Sequence, residues 1–225
     1  MTPVASQGEA QPVDKVDFSL YLITDRRQTA GRPLTDVVRA ALQGGVRAVQ
    51  LREKDLPDDE LLELAGNLRR LTREFGAHLL INSRLDICRA VDADGVHLGI
   101  TGISVGEARR ALGDRLLIGY SAHSLAEACS AQSSGADFVT FGPVFHTPSK
   151  AAHGEPVGLD RLGEACKTLA IPVFALGGIK QNSIAGVMAA GARGVALISA
   201  IIAASDPLAA ASSLLQTIEQ YDIHS

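Results

Sequence analysis

Short apolar runs alternate with longer amphipathic segments along most of this chain. From Phe18 onward, eight runs of about five mostly apolar residues are each followed by a segment with helical periodicity. This alternation predicts βαβ units and a parallel sheet, whose strands are buried on both faces and therefore read as nearly continuous apolar runs. The predicted strands cover residues 20–24, 48–52, 78–82, 95–99, 116–121, 138–142, 172–176 and 194–198.

The intervening segments carry clear helix signals. Leucines recur at three- and four-residue spacing across residues 58–74, which predicts a helix with one face towards the core. Ser104 and Glu107 have the spacing of a capping box, in which each side chain bonds the other residue's backbone N–H. Helices and strands therefore follow one another without a visible domain boundary.

Eight βα units in about 200 residues predict a single (β/α)8 TIM barrel of the α/β class. An open doubly wound sheet is the alternative, although such sheets more often have five to seven strands. Residues 1–16 are expected to form a mobile N-terminal tail, and residues 17–225 the barrel. In a barrel, active residues lie at the C-terminal ends of the strands and in the loops that follow.

Composition narrows the possible partners. The formal charge is -4, aromatic residues make up 4% of the 225 residues and Trp is absent, so neither a basic field nor stacking platforms favour nucleic acid. No signal-peptide core and no apolar run long enough to span a membrane is visible, which leads us to expect a cytoplasmic protein without a membrane partner. The three cysteines are widely spaced and lack a C-x-x-C pair, which is typical of free thiols in a reducing compartment.

Polar residues collect at the predicted strand ends. Gln50, Arg52 and Lys54 follow the second strand, and a two-residue period would turn all three to one side, where they could hold an anion. The alternative is a solvated edge strand passing into a charged helix. The other predicted substrate-binding residues at strand ends are Asn82 after the third strand, Ser121 after the fifth, and Thr147, Ser149 and Lys150 in the loop after the sixth.

Two further features suggest chemistry at the same end. Gly177 and Gly178 after the seventh strand offer backbone N–H groups unobstructed by side chains, and Ile198 and Ser199 follow at the end of the eighth strand. Together they resemble a barrel phosphate site, although a tight turn also needs glycines. His123 follows the fifth strand, and an imidazole titrates near working pH, so we expect it to transfer protons. His97 lies inside the fourth strand and is expected to be a hydrogen-bonded core residue.

Seven motifs, in order and across nearly the whole chain, resemble the thiamine phosphate synthase/TenI superfamily. They are Q-L-R-E-K at 50–54, I-N at 81–82, A-D-G-V-H-L-G at 93–99, G-Y-S-A-H-S at 119–124, F-G-P-V-F-x-T-x-S-K at 141–150, G-G-I at 177–179 and I-S-A-I at 198–201.

The resemblance implies a set of roles. Synthases of this superfamily join a thiazole phosphate to hydroxymethylpyrimidine diphosphate and release pyrophosphate, with Mg²⁺ on the leaving group. By motif position, Arg52, Lys54, Asn82, Ser121 and Lys150 would hold the diphosphate, Thr147 and Ser149 would meet the thiazole, and Gly177, Gly178, Ile198 and Ser199 would hold the thiazole phosphate.

Two positions depart from the synthase pattern. Ser83 and Gly102 stand where the synthases carry the two aspartates that bind magnesium, and a hard cation usually needs a carboxylate ligand. The sequence therefore favours the TenI-type branch: a thiazole tautomerase that needs no metal or cofactor and uses His123 as the acid/base on a thiazole phosphate. The alternatives are a Mg²⁺-dependent thiamine phosphate synthase and a non-catalytic phosphate-binding regulator. A homo-oligomer is left open.

Overall fold

Eight parallel strands close into one barrel in the computed structural model, which describes residues 15–147 and 155–221. Each strand pairs with the next along the chain, and the last pairs with the first. The predicted (β/α)8 barrel is confirmed, and the open sheet is excluded because the first and last strands are hydrogen-bonded. The strands are β1 (Leu20–Ile23), β2 (Ala48–Leu51), β3 (His78–Asn82), β4 (Gly95–Leu98), β5 (Leu117–Ala122), β6 (Phe138–Phe141), β7 (Val173–Leu176) and β8 (Gly194–Leu197).

Helices follow the strands and surround the barrel. The longest has the bounds predicted from the leucine spacing, and the helix after β4 begins with the predicted capping box of Ser104 and Glu107. Within the described residues no helix is long and apolar enough to cross a membrane. The α-helices are α1 (Leu34–Gln43), α2 (Asp58–Glu74), α3 (Leu85–Ala90), α4 (Val105–Leu112), α5 (Leu125–Ser133), α6 (Gly158–Thr168), α7 (Ile184–Ala189), α8 (Ser199–Ile202) and α9 (Pro207–Glu219).

The strand alternation produces two apolar regions. Outward side chains pack against the helices, and inward ones form a separate cluster inside the barrel. Phe18 closes the N-terminal end of that inner cluster, with its ring centroid 5.2 Å from that of Phe174 and 5.7 Å from that of Phe138. Val16, assigned to the tail from sequence, is 2% exposed and packs in the same cluster, so the barrel begins before residue 17.

The inner cluster becomes polar towards the C-terminal ends of the strands. Gln50, His97 and Thr140 are buried there, above the aromatic layer that Tyr21 and Phe138 help to form. Inward positions of a barrel are normally filled by apolar branched side chains. Buried polar groups at this level are therefore the first structural indication of a functional site.

Candidate active site

The residues after β2 occupy three different environments. Gln50 is 1% exposed and points into the barrel, where its Nε2 donates to the Tyr21 hydroxyl at 3.1 Å. Arg52 is half-buried, and its backbone N–H donates to Thr24 Oγ1 at 2.9 Å. Lys54 is exposed, and the nearby charge of Arg52 lowers its pKa. Two cations therefore lie close together at the mouth of the barrel, above a buried amide.

These cations are not neutralised by the carboxylate between them in sequence. Glu53 is 5% exposed and turns the other way, where both of its oxygens accept from the Arg26 backbone N–H at 3.1 Å. No salt bridge in residues 15–147 and 155–221 involves Arg52 or Lys54. Two like charges held together without an acidic partner repel each other, and an anionic ligand would relieve that repulsion.

A small cavity opens at the C-terminal ends of β5, β6 and β7. Its volume is about 30 Å³, close to that of one water molecule, so it marks a contact point and not the space for a whole substrate. The predicted residues Ser121, His123 and Gly177 meet in this lining. The complete lining is Ser121, Ala122, His123, Thr140, Gly142, Pro143, Leu176 and Gly177.

His123 lies at the rim of the cavity and is bound to the helix that follows it. Its Nδ1 is 3.4 Å from Glu127 Oε2, and its backbone N–H donates to the same oxygen at 2.8 Å. Glu127 lies in the first turn of α5, so the contact orients the loop between β5 and α5.

The glycine pair after β7 is required by close packing. Gly177 and Gly178 have φ of +96° and +66°, and a Cβ on Gly178 would lie 2.6 Å from the His146 carbonyl oxygen. The Phe145 N–H donates to the Gly177 carbonyl at 3.0 Å. Within the described residues the Gly178 N–H donates to no backbone carbonyl.

The remaining predicted residues are distributed around the same mouth or lie outside the description. Asn82 ends β3 half-buried and is in register with His97 on β4. Thr147 is half-buried at the start of the loop after β6. Ile198 is also half-buried, and the exposed Ser199 is the first residue of α8. Ser149 and Lys150 lie outside the described residues.

Two functional candidates, Tyr21 and Thr140, were not predicted from the sequence. Tyr21 Oη is 3.3 Å from His97 Nδ1, and Thr140 Oγ1 is 3.3 Å from Ser121 Oγ. The expectation that His97 is a hydrogen-bonded core residue is confirmed, since its Nε2 lies 2.9 Å from Ser121 Oγ. A polar residue at an inward position of a predicted strand is the pattern that would have pointed to Thr140 and Tyr21.

The residues present do not fit a resident magnesium ion. Ser83 has φ of +59° and Gly102 has φ of +97°, and neither supplies a carboxylate. No group of three His, Cys, Asp or Glu side chains in the described part of the chain is placed to hold a metal. The carboxylates on nearby loops already have partners: Glu53 and Asp55 pair with Arg26, Asp58 and Asp86 with Arg84, and Glu127 with His123.

The fold is a closed (β/α)8 barrel with a cationic pair and a glycine loop at one mouth, an arrangement typical of barrel enzymes that bind small anionic ligands. The family model for thiamine monophosphate synthase (TMP-TENI) matches residues 20–201. The chain therefore belongs to the thiamine monophosphate synthase family, and the resemblance inferred from the motifs is confirmed.

Individual relatives agree with the family match. A protein of Geobacter sulfurreducens named "Putative thiamine-phosphate synthase" is 62% identical over 201 residues, which cover 89% of this chain and 94% of the relative. The thiamine-phosphate synthase of Roseiflexus sp. (strain RS-1) is 45% identical over 208 residues, 92% of this chain and 88% of the relative. The structure of thiamine phosphate pyrophosphorylase from Pyrococcus furiosus aligns with a TM-score of 0.84 at 38% identity, covering 93% of this chain and 98% of that one.

The expected tautomerase activity is wrong. Relatives at 44–46% identity are named thiamine-phosphate synthase, a transferase, and they match about nine-tenths of this chain. The tautomerase assignment depended on the two missing carboxylates alone. That loss is a change in two side chains, whereas the cationic pair and the glycine loop are retained.

Proposed function

We propose that this protein is a thiamine-phosphate synthase, which couples hydroxymethylpyrimidine diphosphate to a thiazole phosphate and releases pyrophosphate. The observation that carries the proposal is the pair Arg52 and Lys54, held at the barrel mouth without an acidic partner among the described residues. A diphosphate is a multiply charged anion, and a departing diphosphate gains charge as its bond to carbon breaks. Cations positioned in advance stabilise that charge. The names of the relatives support the same reaction.

The two phosphate groups would occupy different parts of the mouth. Arg52 and Lys54, with Asn82 and Ser121 on the neighbouring inward positions, would bind the diphosphate. The N–H groups around Gly178 and Ser199 would bind the monophosphate of the thiazole. This arrangement would hold the thiazole nitrogen against the pyrimidine methylene carbon, so that the new C–N bond forms as the C–O bond to diphosphate breaks.

Gln50, Thr147, Ser149 and Lys150 complete the proposed substrate-binding set. Gln50 is fixed by Tyr21 and would orient the pyrimidine with its amide. Thr147 and Ser149 would contact the thiazole, and Lys150 would reach the diphosphate. No step is assigned to a protein-bound metal, because the described carboxylates at the mouth already have partners.

The direct test is an assay of the full-length protein with both substrates, in which thiamine phosphate and pyrophosphate are quantified with added magnesium and with EDTA. We expect one pyrophosphate to be released for each thiamine phosphate formed. Arg52→Met should lower kcat/KM by about 100-fold, the size of effect typical for removing one stabilising group from a transition state. Arg73→Met is the matched control, since Arg73 is an exposed residue of the last turn of α2, paired with Asp92.

Tight binding of both substrates without product in either condition would refute the synthase and support a non-catalytic binding protein. Equal losses in Arg52→Met and Arg73→Met would show that the cationic pair has no specific role. A loss confined to Arg52→Met, with unchanged folding by circular dichroism, would support the proposed diphosphate site.

A further inference from the structure

A continuous chain of hydrogen-bonded side chains runs through the interior of the barrel to its mouth. Tyr21 and Thr140 are 0% exposed, Gln50 and His97 are 1% exposed, and Ser121 is half-buried where the chain reaches the cavity. The five residues come from β1, β2, β4, β5 and β6, so barrel closure assembles them. Buried polar groups need partners, and these groups are each other's partners.

Each hydrogen bond in this series of side chains has a donor and an acceptor that can be assigned in turn. The Gln50 Nε2 group can only donate, so the Tyr21 oxygen accepts from it at 3.1 Å. The Tyr21 hydroxyl lies 3.3 Å from His97 Nδ1, and its remaining proton can be donated to that nitrogen. Burial raises the pKa of Tyr21 far above its usual value, which keeps this proton on the phenol.

His97 can accept a hydrogen bond at one ring nitrogen and donate one at the other because it is neutral. Burial, and secondarily the charge of Arg52, lower its pKa to about 3. A neutral imidazole has one N–H donor and one acceptor nitrogen. When Nδ1 accepts from Tyr21, the proton is on Nε2, which lies 2.9 Å from Ser121 Oγ and 3.5 Å from Thr140 Oγ1.

The Ser121 hydroxyl is thereby left with only its proton for a further hydrogen bond. Its oxygen accepts from His97 Nε2 and from the Thr140 hydroxyl at 3.3 Å, and a hydroxyl has two acceptor lone pairs and one proton. Both lone pairs are used. The Ser121 O–H can therefore only donate, and Ser121 lines the cavity beside Gly177.

We propose that His97 is a positioning residue: locked as the Nε2–H tautomer by Tyr21, it orients Ser121 so that the serine hydroxyl donates to an oxygen of the anionic ligand at the barrel mouth. The identity of that ligand as a diphosphate rests on the proposed function, whereas the direction of the hydrogen bonds does not. The arrangement selects hydrogen-bond acceptors, such as phosphoryl oxygens, and rejects ligand groups that can only donate.

The direction can be measured without any substrate. Nitrogen-15 labelling of the histidines in the full-length protein, with long-range proton–nitrogen correlation at neutral pH, distinguishes a protonated from an unprotonated ring nitrogen. The His97 signals are identified by their loss in His97→Gln. We expect a protonated Nε2 and an unprotonated Nδ1, and we expect Tyr21→Phe to abolish this preference. An Nδ1–H tautomer or an imidazolium in the wild type would overturn the inference.

The positioning role is tested with inorganic pyrophosphate as the probe, by calorimetry. His97→Leu should weaken its binding about tenfold, and His97→Gln, which keeps a donor near the Nε2 position, should restore it to within about threefold of wild type, as expected for one well-oriented hydrogen bond. His78→Gln is the matched control, because His78 pairs with Asp17 at the opposite end of the barrel.

The outcomes separate this inference from the proposed function. Unchanged pyrophosphate binding in His97→Leu would overturn the positioning role. If His97→Leu does not fold, Tyr21→Phe takes its place with the same expectation. If wild type does not bind pyrophosphate, the proposed function fails, and the nitrogen-15 spectrum still decides the direction of the hydrogen bonds.

Discussion

Charged residues next to one another at the end of β2 differ in whether they have a partner. Arg52 and Lys54 keep their charges unpaired within the described residues, whereas Glu53 between them is buried against the Arg26 backbone. Glu53 is thus an anchor for the loop, and under the proposed function the two cations bind the diphosphate. Placing like charges together costs stability, and functional sites commonly carry such a cost.

Lys54→Met should therefore raise stability and weaken anion binding. The free energy of unfolding should rise by up to about 0.5 kcal/mol, as for other surface changes, because the repulsion with Arg52 is removed. Pyrophosphate affinity should fall about tenfold. Since folding lowers the pKa of Lys54, the unfolded chain binds that proton more tightly, and wild type should gain stability relative to the variant as the pH rises through this pKa.

Urea titration and calorimetry measure the two effects of Lys54→Met. Lys167→Met is the control, because Lys167 lies in the last turn of α6, where a cation is favourable. That variant should lose a little stability and bind pyrophosphate normally. A destabilised Lys54→Met with unchanged affinity would contradict the assignment of the cationic pair.

Ser83→Asp should increase the affinity of the free protein for magnesium. Ser83 is exposed, adjoins Asn82 and has φ of +59°, a conformation that Asp tolerates better than most residues. Because hard cations prefer carboxylate oxygen, calorimetry should show at least tenfold tighter Mg²⁺ binding than in wild type. Ser130→Asp, on the exposed side of α5, should not change it. Equal affinity in all three proteins would show that position 83 is not near a cation site.

At the scale of elements, the glycine pair after β7 joins two loops. The segment after β6 packs so closely on Gly178 that any side chain there would meet the backbone of His146, and the same segment donates to the Gly177 carbonyl. The turn interpretation and the phosphate interpretation of these glycines are therefore compatible. The glycines allow the close approach, and the close approach shapes the mouth.

Gly178→Ala should destabilise the protein by about 2 kcal/mol and reduce thiazole phosphate binding at least tenfold. The new Cβ would lie 2.6 Å from the His146 oxygen, and a non-glycine residue at positive φ adds a cost of about 1 kcal/mol. Gly76→Ala is the matched control, since Gly76 has φ of +59° with nothing within 4 Å of a Cβ. Urea unfolding and calorimetry should separate them, and equal losses in both would mean that only backbone conformation matters.

Element bounds were predictable because the apolar periodicity is strong. The helix over Asp58–Glu74 matches its leucine spacing, and β3 matches its predicted range. β2 ends one residue before its predicted end, at Leu51, because the Arg52 N–H bonds the Thr24 side chain instead of a neighbouring strand. A side-chain contact between distant residues decides such an end, and local pattern does not contain it.

At the scale of the whole molecule, the aromatic cluster and the candidate site occupy opposite ends of the barrel. Aromatic rings of Phe18, Tyr21, Phe138 and Phe174 fill the N-terminal part of the interior with centroid separations between 5.2 and 6.3 Å. Tyr21 belongs to both regions, since its ring packs with the phenylalanines and its hydroxyl is part of the polar chain that leads to the mouth. This separation is the general arrangement of barrel enzymes.

Phe18→Ala should therefore lower the free energy of unfolding and leave kcat/KM nearly unchanged. Phe18 is 4% exposed, and removing a buried phenyl ring costs about 3–5 kcal/mol. Urea titration should show that loss, while kcat/KM per folded molecule stays within about twofold. Leu62→Ala, at a position 42% exposed, is the control and should change neither. A large fall in kcat/KM at full folding would show that the bottom of the barrel is coupled to the mouth.

The sequence by itself determined the eight-fold alternation, the barrel and the family, since each depends on local periodicity or on motifs in order. Only the tertiary structure decided which polar groups are partnered. Glu53 turns to Arg26, and Gln50 meets Tyr21, 29 residues away, because barrel closure sets β1 beside β2 and brings inward side chains of separate strands together. The missing carboxylates at Ser83 and Gly102 suggested another reaction. Only the folded structure showed that Arg52 and Lys54 have no acidic partner among the described residues.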